Sequence, residues 1–414
     1  MRFFRNSDVT KLYDVSDKAV RNWIVAAQEG KVNLELHREN DKYYIADTLH
    51  NASVIKSLVE QGRKYRNTRS HRKVQPKPEF YKLFDHKEIS QIASHLETNH
   101  EYPQQYLYRG KGALHWAAYI DKLYTLGSDN YLAYVIELLD ANRQYLLTTI
   151  ARYKHVNVID LGVGNGLAAR ELLKIIAITG KLRRYAAVDI SPELLDIAEI
   201  NLKEHFGTGL KIEKYLRDLT YDNYSDIVSR DSYGDDASQT LNIVLFLGGT
   251  LVNFKDPRMP LQNLHDSLGK NCIVMSTLKM DTLKSRRFFD FNPERPSKSI
   301  LSPHFKNALE LLGIDESLYE TEQYFDASQK SRFIKLRLKF TLTLTLQTGR
   351  YIKSITFQKG DQLLIWRAWH FNEREIINTW ADNGFTLLNC SRCQSEEYLL
   401  MTHKVETLGS MLVN

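Results

Sequence analysis

The sequence predicts an α/β fold with a doubly wound, mainly parallel sheet, and two neighbouring segments carry most of that prediction. The apolar run Val158–Leu161 leads directly into Gly162–Gly166, where every second residue is glycine, and a helical pattern follows at Leu167–Ile178. A second apolar run, Tyr185–Ile190, contains Asp189. A buried strand, a glycine turn, a helix and a strand that ends in a carboxylate make up the βαβ unit that binds nucleotide-like ligands.

Strands and helices continue to alternate after this unit. Ser191 can cap a helix that has Glu193 in its first turn. Further apolar runs predict the third, fourth and fifth strands, at Lys211–Leu216, Leu241–Leu247 and Asn271–Thr277. Alternating strands and helices predict a parallel sheet with helices on both faces. We therefore place the core at residues 151–280 and its closing part at 373–414.

An antiparallel sheet is predicted to interrupt this core late in the chain. From Ile334 to Leu346 every even position is apolar, and the odd positions between them are polar, which predicts one long half-buried strand. The elements predicted after it are two strands at hairpin spacing, a helix and two closing strands, at Tyr351–Gln358, Gln362–Phe371, Glu373–Asp382, Phe385–Leu388 and Tyr398–Thr402. We place the insertion at residues 281–372 and expect it to recognise a substrate.

Residues 80–150 have a helical pattern and are rich in tyrosine. Most of these rings are expected to pack with the hydroxyl group at the surface. We expect the region to cap the ligand site. Tyr131 and Tyr134 are the candidates to orient a nucleophile by hydrogen bonding.

The first 65 residues form a separate pattern. Ser7 and Ser16 can each cap a short helix, and the two helices are joined by a tight turn. Val32–Leu36 and Lys42–Ile45 can pair as a two-stranded wing, and a third helix runs from about Thr48 to Gln61. This order predicts a winged helix-turn-helix domain.

The motifs Val15-Ser16, Arg21-Asn22-Trp23 and Lys42-Tyr43-Tyr44 resemble those of the MerR-type winged-helix family. The resemblance implies binding to double-stranded DNA, and a homodimer. Lys18, Arg21 and Asn22 fall away from the apolar face of the second helix and are expected to contact DNA, together with Arg38 and Lys42 of the wing. A fold reused for docking to proteins is the alternative.

The net charge of +6 is concentrated in this part of the chain. Residues 1–82 carry 17 Lys and Arg against 10 Asp and Glu, a balance of +7, and a basic linker covers residues 66–79. A run of basic residues without acids, Gln61–Lys77, suits polyphosphate, so residues 1–77 are the expected DNA-binding part. The alternative is a solvated linker.

Composition indicates a soluble cytoplasmic protein of two or three domains. The sequence has no apolar run of membrane-spanning length and no apolar signal stretch at its start. Three cysteines agree with a reducing compartment, and the single Cys390-x-x-Cys393 motif lacks a second pair, so no metal site is predicted.

The glycine spacing separates two possible cofactors. Dinucleotides require GxGxxG for their pyrophosphate, whereas this chain has GxGxG, which favours S-adenosylmethionine over NAD. Asp189 is expected to accept hydrogen bonds from the ribose hydroxyls, and Asp218 from the adenine amine. The full set of predicted cofactor-binding residues is Asp160, Gly162, Gly164, Gly166, Asp189, Asp218, Gly248 and Thr250.

The segment Phe246–Phe254, which reads FLGGTLVNF, resembles the fourth-strand motif of the histidine-specific Nα-methyltransferases of ergothioneine biosynthesis. The resemblance covers about Phe80 to Val405. It implies a Rossmann-like class I methyltransferase fold and an S-adenosylmethionine-dependent N-methyltransferase. It also implies that Asn253 binds the amino-acid substrate and takes part in catalysis.

The stretch that would bind the substrate differs from the one in that family. Its members carry a threonine-glutamate-x-serine stretch that grips the imidazole, where this chain has Ile365-Trp366-Arg367-Ala368. We therefore expect a small amine or amino-acid-like acceptor. The sequence supports an aromatic or acidic acceptor that contacts Trp366, Arg367 and Trp369 as well as it supports histidine.

Two other functions stay open. A ligand-sensing transcription regulator with an inactive methyltransferase-like domain would use the basic N-terminal segment and would not need the missing substrate residues. A nucleic-acid methyltransferase would hold its substrate with residues 1–77, although the fourth strand lacks the aspartate or asparagine, proline, proline and aromatic sequence used against a flipped base.

Overall fold

The computed structural model describes residues 3–231, 237–287, 297–298, 300–349 and 351–405, with the backbone alone for 63–70, 231, 237, 287 and 297–298. The chain divides into two units, Met1–Lys73 with Phe340–Thr343 and Val74–Lys339 with Leu344–Asn414. The main division, after Lys73, falls inside the predicted linker. The basic side chains predicted at Arg63, Lys64, Arg66 and Arg69 lie outside the described residues.

The N-terminal unit has a core of eight buried apolar side chains, among them Val9, Val20, Ile45 and Ile55. Its elements are β1 (Phe3–Phe4), α1 (Asn6–Tyr13), α2 (Asp17–Gln28), β2 (Leu36–Glu39), β3 (Lys42–Ala46) and α3 (Leu49–Ser70). The three strands form an antiparallel sheet in the order β1-β3-β2. The helices and the hairpin therefore occur in the predicted order.

Several predicted boundaries in this unit need correction. Ser7 does not cap α1, because the helix already begins at Asn6, where Arg5 N donates to Asp8 Oδ2 at 2.8 Å. Ser16 does cap α2 by accepting from Ala19 N at 3.3 Å. The first wing strand begins at Leu36, because the side chain of Asn51 hydrogen-bonds the backbone N–H and C=O of Glu35. Helix α3 runs nine residues beyond its predicted end.

The predicted helical region before the core is confirmed. After the short strand β4 (His71–Val74), its helices are α4 (Pro78–Leu83), α5 (His86–Asn99), α6 (Lys111–Leu126), α7 (Tyr131–Ala141) and α8 (Arg143–Ala151). Two of them have strong N-caps, since Asp85 and Glu88 form a reciprocal capping box on α5 and Asn130 accepts from two N–H groups of α7.

The core alternates strands and helices as predicted. Its elements are β5 (His155–Leu161), α9 (Leu167–Ala177), β6 (Leu182–Asp189), α10 (Pro192–Phe206), β7 (Ile212–Leu216), α11 (Ser225–Val228), β8 (Thr240–Phe246), α12 (Arg258–Ser267), β9 (Cys272–Lys279) and α13 (Leu283–Arg287). Strands β5, β6 and β8 are buried almost throughout, because helices cover both faces of a parallel sheet.

The late antiparallel insertion is present, but the long strand predicted at Ile334–Leu346 is wrong. The elements are β10 (Ser297–Lys298), α14 (Pro303–Leu311), β11 (Tyr319–Asp326), β12 (Ser331–Leu338), β13 (Thr341–Thr348), β14 (Tyr351–Phe357) and β15 (Gln362–Trp369). Strands β12 and β13 belong to two different sheets. The last hydrogen bond before the break is donated by Lys339 N to Leu318 O at 2.9 Å, and it continues the pairing of β12 with the chain before β11.

Two closing strands complete the main sheet. After α15 (Glu373–Ala381), strands β16 (Phe385–Arg392) and β17 (Tyr398–Val405) extend it to seven strands in the order β16-β17-β9-β8-β5-β6-β7. The five strands from β9 to β7 are parallel, and β17 and β16 are antiparallel additions at one side. The strand order reverses beside β5, so β5, β6 and β8 open a crevice at their carboxyl ends.

Two further observations bear on function. Among the described residues, the helices are too short or too polar to cross a bilayer. In the same part of the chain, no three His, Cys, Asp or Glu side chains come together as metal ligands.

Candidate functional site

A cavity of about 780 Å³ occupies the crevice at the carboxyl ends of β5, β6 and β8. This volume lies within the roughly 300–1,000 Å³ typical of small-molecule sites. The glycine loop after β5, Asp189 at the end of β6 and the turn after β8 all line it. Helices α6 and α7, the segment 101–108, the loop after β7 and the end of the insertion supply further parts of the wall. The cavity lies within one structural unit.

The glycine loop needs the backbone freedom that its composition provides. Gly162, Gly164 and Gly166 have φ values of +75°, +56° and +79°, which is left-handed backbone that other residues adopt at a cost. A Cβ on Gly162 would lie 3.0 Å from Cγ2 of Thr250, and one on Gly166 would lie 3.2 Å from Cβ of Ala198. The loop is thus packed tightly against β8's turn and helix α10.

Asp189 is held by the backbone of two loops. Its Oδ2 accepts from Gly164 N at 3.3 Å and its Oδ1 accepts from Ser191 N at 2.9 Å. Burial raises the pKa of Asp189 to about 6, although these N–H groups oppose the shift. A buried carboxylate that is fixed in this way can accept hydrogen bonds from the hydroxyls of a ligand.

Asp160 forms a second buried acid at the floor of the cavity. The hydroxyl of Tyr185 donates to Asp160 Oδ2 at 2.6 Å, and both side chains are almost completely buried. Burial raises the pKa of Asp160 to about 7, while the Tyr185 hydrogen bond lowers it. Asp160 therefore places an ionisable group just before the glycine loop.

Asp218 lies on the rim, after β7, and lines the same cavity. Its Oδ1 accepts from Thr220 N at 2.9 Å. Burial raises its pKa, and the side chain of Gln105 forms a hydrogen bond that opposes the shift. Asp218 is therefore placed among the lining residues on the β7 side, away from the turn after β8.

The turn after β8 supplies the residues predicted from its motif. Gly248 and Gly249 have φ values of +74° and +85°, and Gly248 N donates to Thr277 Oγ1 at 2.9 Å. Gly248, Thr250 and Asn253 all line the cavity. The chain folds here into a single 3-10 turn, Thr250–Asn253, which presents Asn253 at its end.

The two tyrosines named from the sequence are separated by the fold. Tyr131 lines the cavity, and its ring lies 3.8 Å from a Cβ built on Gly248. Tyr134 does not belong to the described lining. Its ring stacks on Tyr398 with centroids 5.1 Å apart, and its hydroxyl donates to Asp129 at 3.3 Å. Because its ring packs on Tyr398 and only Tyr131 lines the cavity, we no longer assign Tyr134 a role in the site.

The insertion contributes Trp369 to the cavity, and its indole N–H donates to Phe254 O at 2.8 Å. Neither Trp366 nor Arg367 is part of the described lining. Trp366 packs against the core, where Arg332 lies over its ring at 5.4 Å. Arg367 lies outside this lining and pairs with Glu101 at 2.6 Å. An acidic acceptor that binds Arg367 is therefore not supported.

Sequence reasoning missed several lining residues on the helical side. Tyr108, Trp116, Asn165 and Glu101 all contribute to the cavity. The signal was present for Asn165, which stands inside the glycine loop. The other three lie in or near the tyrosine-rich helices. Many aromatic residues there only pack, and the local sequence pattern does not distinguish packing residues from residues that line the cavity.

The five residues predicted to contact DNA lie in the N-terminal unit and are exposed. They are Lys18, Arg21, Asn22, Arg38 and Lys42. Arg21 forms an ion pair with Asp17, and Arg38 pairs with Asp41 at 2.7 Å and lies 5.7 Å from the ring centre of Tyr43. Exposed pairs of this kind contribute about 0–1 kcal/mol and break readily.

The cavity fits the adenosyl donor expected from the sequence. A Cβ at Gly162 would be in tight contact with the Thr250 side chain, and the N–H groups of the loop lie next to Asp189 and the start of α9. Asp189 would hold the ribose hydroxyls, and Asp218 would hold the adenine amine. Asp160 and the glycine loop would hold the methionine part.

Comparisons with known proteins identify the family of this chain. The family model described as histidine-specific methyltransferase, SAM-dependent, matches residues 88–405, which is most of the chain. A search among curated proteins found no significant match.

The chain is also similar to solved methyltransferase structures. One is an S-adenosylmethionine-dependent methyltransferase from Clostridium acetobutylicum, with 13% identity, a TM-score of 0.41, and coverage of 70% of this chain and 98% of that one. Another is the CcbJ methyltransferase from Streptomyces caelestis, with 13% identity, a TM-score of 0.37, and coverage of 64% and 90%. A third is magnesium protoporphyrin IX methyltransferase from Synechocystis with bound SAH, with 11% identity, a TM-score of 0.36, and coverage of 77% and 99%. The family match carries the assignment: this chain belongs to the histidine-specific, S-adenosylmethionine-dependent methyltransferases, and it is an enzyme that takes its methyl group from S-adenosylmethionine.

Proposed function

We propose that the enzyme methylates a nitrogen atom of a small amine or amino-acid acceptor. The observation that carries this proposal is the position of Asn253 and Tyr131. Both line the cavity that also contains the glycine loop and Asp189. An acceptor held by Asn253 and Tyr131 would share one enclosed space with the methyl donor, as transfer between the two requires.

The donor supplies a methyl group on a positively charged sulfur, which leaves as a neutral thioether when the acceptor nitrogen attacks. The protein's task is to hold the acceptor nitrogen in line and to exclude water. The amide oxygen of Asn253 can accept an N–H of the amine and so orient the lone pair. Burial raises the pKa of Tyr131 well above its usual value, so its hydroxyl stays protonated and serves as a hydrogen-bonding group.

Aromatic rings make up much of the wall around these two residues. Tyr108 and Trp116 pack edge to face at 5.3 Å between ring centres, and both line the cavity with Trp369. Such rings exclude water and favour cationic groups that lie against their faces. This wall suits an amine that gains positive charge on methylation.

Histidine is not the acceptor that the local sequence favours. Trp366 and Ala368 occupy the positions where the family carries the glutamate and serine that hold the imidazole, and Trp366 packs into the core. We propose a different amine or amino acid. The test is a parallel measurement of S-adenosylhomocysteine release with amino acids, amines, duplex DNA and RNA. Release with DNA or RNA alone would refute the proposal, because the enzyme would then be a nucleic-acid methyltransferase.

We further propose that the N-terminal unit binds duplex DNA, with the whole chain acting as a homodimer. The exposure of Lys18, Arg21, Asn22, Arg38 and Lys42 supports this second role. Fluorescence anisotropy of the full chain with a labelled duplex should show binding that weakens steeply with salt. A triple substitution, Lys18→Ala, Arg21→Ala and Lys42→Ala, should weaken it further. Equal affinity for wild type and variant would refute DNA binding through this surface.

A further inference from the structure

A buried ion pair borders the cavity. Glu101 lines the cavity, is 7% exposed, and accepts through Oε2 a hydrogen bond from Arg367 at 2.6 Å. The methyl transfer itself needs neither charge. Buried pairs of this kind often contribute little net stability, because both ions lose their hydration. The pair therefore calls for a reason beyond stability.

The pair is not needed to join the two segments that carry it. Tyr102 N donates to Leu364 O at 2.9 Å, and Leu364 N donates to His100 O at 2.8 Å. The side chain of Gln104 donates to Arg367 O at 3.2 Å and accepts from Arg367 N at 3.1 Å. Four hydrogen bonds thus already fix residues 100–104 against β15. What the ion pair adds is a fixed orientation for the carboxylate.

The acceptor site and the ion pair are connected through β15. Arg367 and Trp369 lie on the same face of this strand, roughly 7 Å apart. Trp369 donates to the carbonyl of Phe254, the residue after Asn253. Strand β15 therefore contacts both the segment that carries Asn253 and the side chain of Glu101.

The corner around Glu101 offers hydrogen-bond acceptors to such a ligand. A carboxylate has about four lone-pair sites, and Arg367 occupies only part of this capacity. His95 also lines the cavity, and its Nδ1 is buried without a hydrogen-bond partner among the described residues. Gln104 lines the same corner and is 9% exposed. The corner thus suits a ligand that brings N–H donors.

We propose that Glu101 determines acceptor specificity by binding a second, basic nitrogen group of the acceptor, with Arg367 as its positioning residue. The acceptor class is then a diamine or a basic amino acid, in which one nitrogen is methylated near Asn253 and the other binds Glu101. This inference rests on the proposed function, since it assumes that an amine occupies the cavity.

Binding of probe ligands tests the inference even though the natural acceptor is unidentified. Calorimetry on the full chain saturated with S-adenosylhomocysteine would compare lysine, arginine and histidine with norleucine, which matches lysine but lacks its side-chain amine. We expect lysine or arginine to bind roughly 10- to 100-fold more tightly than norleucine and more tightly than histidine, as a charge-assisted hydrogen bond allows. Equal binding of all four ligands would overturn the inference.

Matched variants separate recognition from folding. Glu101→Gln alone leaves Arg367 buried without its partner, so the informative variant is Glu101→Gln with Arg367→Gln, which keeps a hydrogen-bonded pair without charges. Glu97→Gln is the control, because Glu97 lies on α5 and pairs with Lys353 at the surface. The double variant should lose the preference for basic ligands and keep its affinity for S-adenosylhomocysteine, and the control should keep both.

A preference that survives in the double variant would overturn the role of Glu101 and leave the proposed function standing. Failure of the wild-type protein to bind S-adenosylhomocysteine would instead refute the donor site on which both proposals depend.

Discussion

Asn165 in the glycine loop donates a side-chain hydrogen bond to Asp121 of helix α6 at 2.9 Å. The same asparagine accepts from Leu167 N at 3.3 Å, and its backbone oxygen accepts from Asn201 at 2.8 Å. Helix α6 also carries Trp116, which lines the cavity. The loop and the aromatic wall are therefore fixed to each other by one pair of polar side chains.

This pair should behave as an energetic unit. We expect Asn165→Ala, Asp121→Ala and the double variant to give a coupling energy of about 0.5–3 kcal/mol in the free energy of unfolding, as contacting polar residues do. Urea unfolding of the four proteins with saturating S-adenosylhomocysteine measures it. Additive effects of the two substitutions would show that the contact does not link loop and helix.

Removal of the carboxylate of Asp189 should abolish tight donor binding. A charge-assisted hydrogen bond contributes about 1.5–3 kcal/mol, so Asp189→Ala should weaken binding of S-adenosylhomocysteine at least about tenfold in calorimetry. Asp196→Ala is a matched control on α10, because Asp196 lies at the surface and pairs with Lys214. Turnover or binding that Asp189→Ala leaves unchanged would refute its assignment to the ribose.

The two buried acids should make the stability of the donor-free enzyme depend on pH. Burial raises the pKa of Asp160 to about 7 and of Asp189 to about 6, above the roughly 3.9 of an unfolded chain. The native state thus holds these protons more tightly. The resulting stabilisation is complete below about pH 4 and is lost as the pH rises through 6 and 7.

Comparison with Asp160→Asn isolates this contribution from other titrating groups. The difference in free energy of unfolding, wild type minus variant, should fall as the pH rises from about 5 to about 7.5, the range that spans the raised pKa. Urea unfolding at both pH values measures it. A difference that stays constant or grows with pH would mean that Asp160 is not a buried acid with a raised pKa.

Substitution of Gly166 should lower the stability of the protein more than substitution of Gly180, a glycine with similar backbone strain and open surroundings. Gly166→Ala and Gly180→Ala both place a Cβ on left-handed backbone, at φ +79° and +65°, which costs about 1–2 kcal/mol. Only the Cβ at Gly166 meets Ala198, at 3.2 Å from its Cβ and 3.3 Å from its Cα.

Thermal unfolding should therefore show a larger loss for Gly166→Ala than for Gly180→Ala. Calorimetry should show weaker donor binding for Gly166→Ala alone. Equal losses of stability would indicate that the loop moves to accommodate the added methyl group. Close packing on α10 would then not determine the structure of the donor site.

Sequence periodicity was sufficient for the core and the donor side of the site. Glycine spacing and the carboxylate after β6 are local signals, so Asp189 and the loop can be identified without their contacts. Trp366 and Arg367 are predicted in the site because they stand where the resembled family carries its substrate-binding stretch. Their partners, Arg332 and Glu101, are distant in sequence, and no local pattern reveals those contacts.

The long strand predicted at Ile334–Leu346 was wrong for a similar reason. Alternation continues unbroken through Lys339 and Phe340, but the chain changes sheets there. Strand β12 pairs with β11 and β15, whereas β13 pairs with β14 and β4, and local periodicity does not reveal these partners. Tertiary pairing overrides a local pattern that is otherwise strong.

Strand β17 lies between β9 and β16, although it is the last strand of the described chain. During synthesis, the five parallel strands leave the ribosome more than a hundred residues before their neighbour at 398–405 emerges. Until then β9 is an unprotected sheet edge, open to pairing with other nascent chains. Molecular chaperones that shield such edges should therefore improve the yield of this protein more than its size alone would suggest.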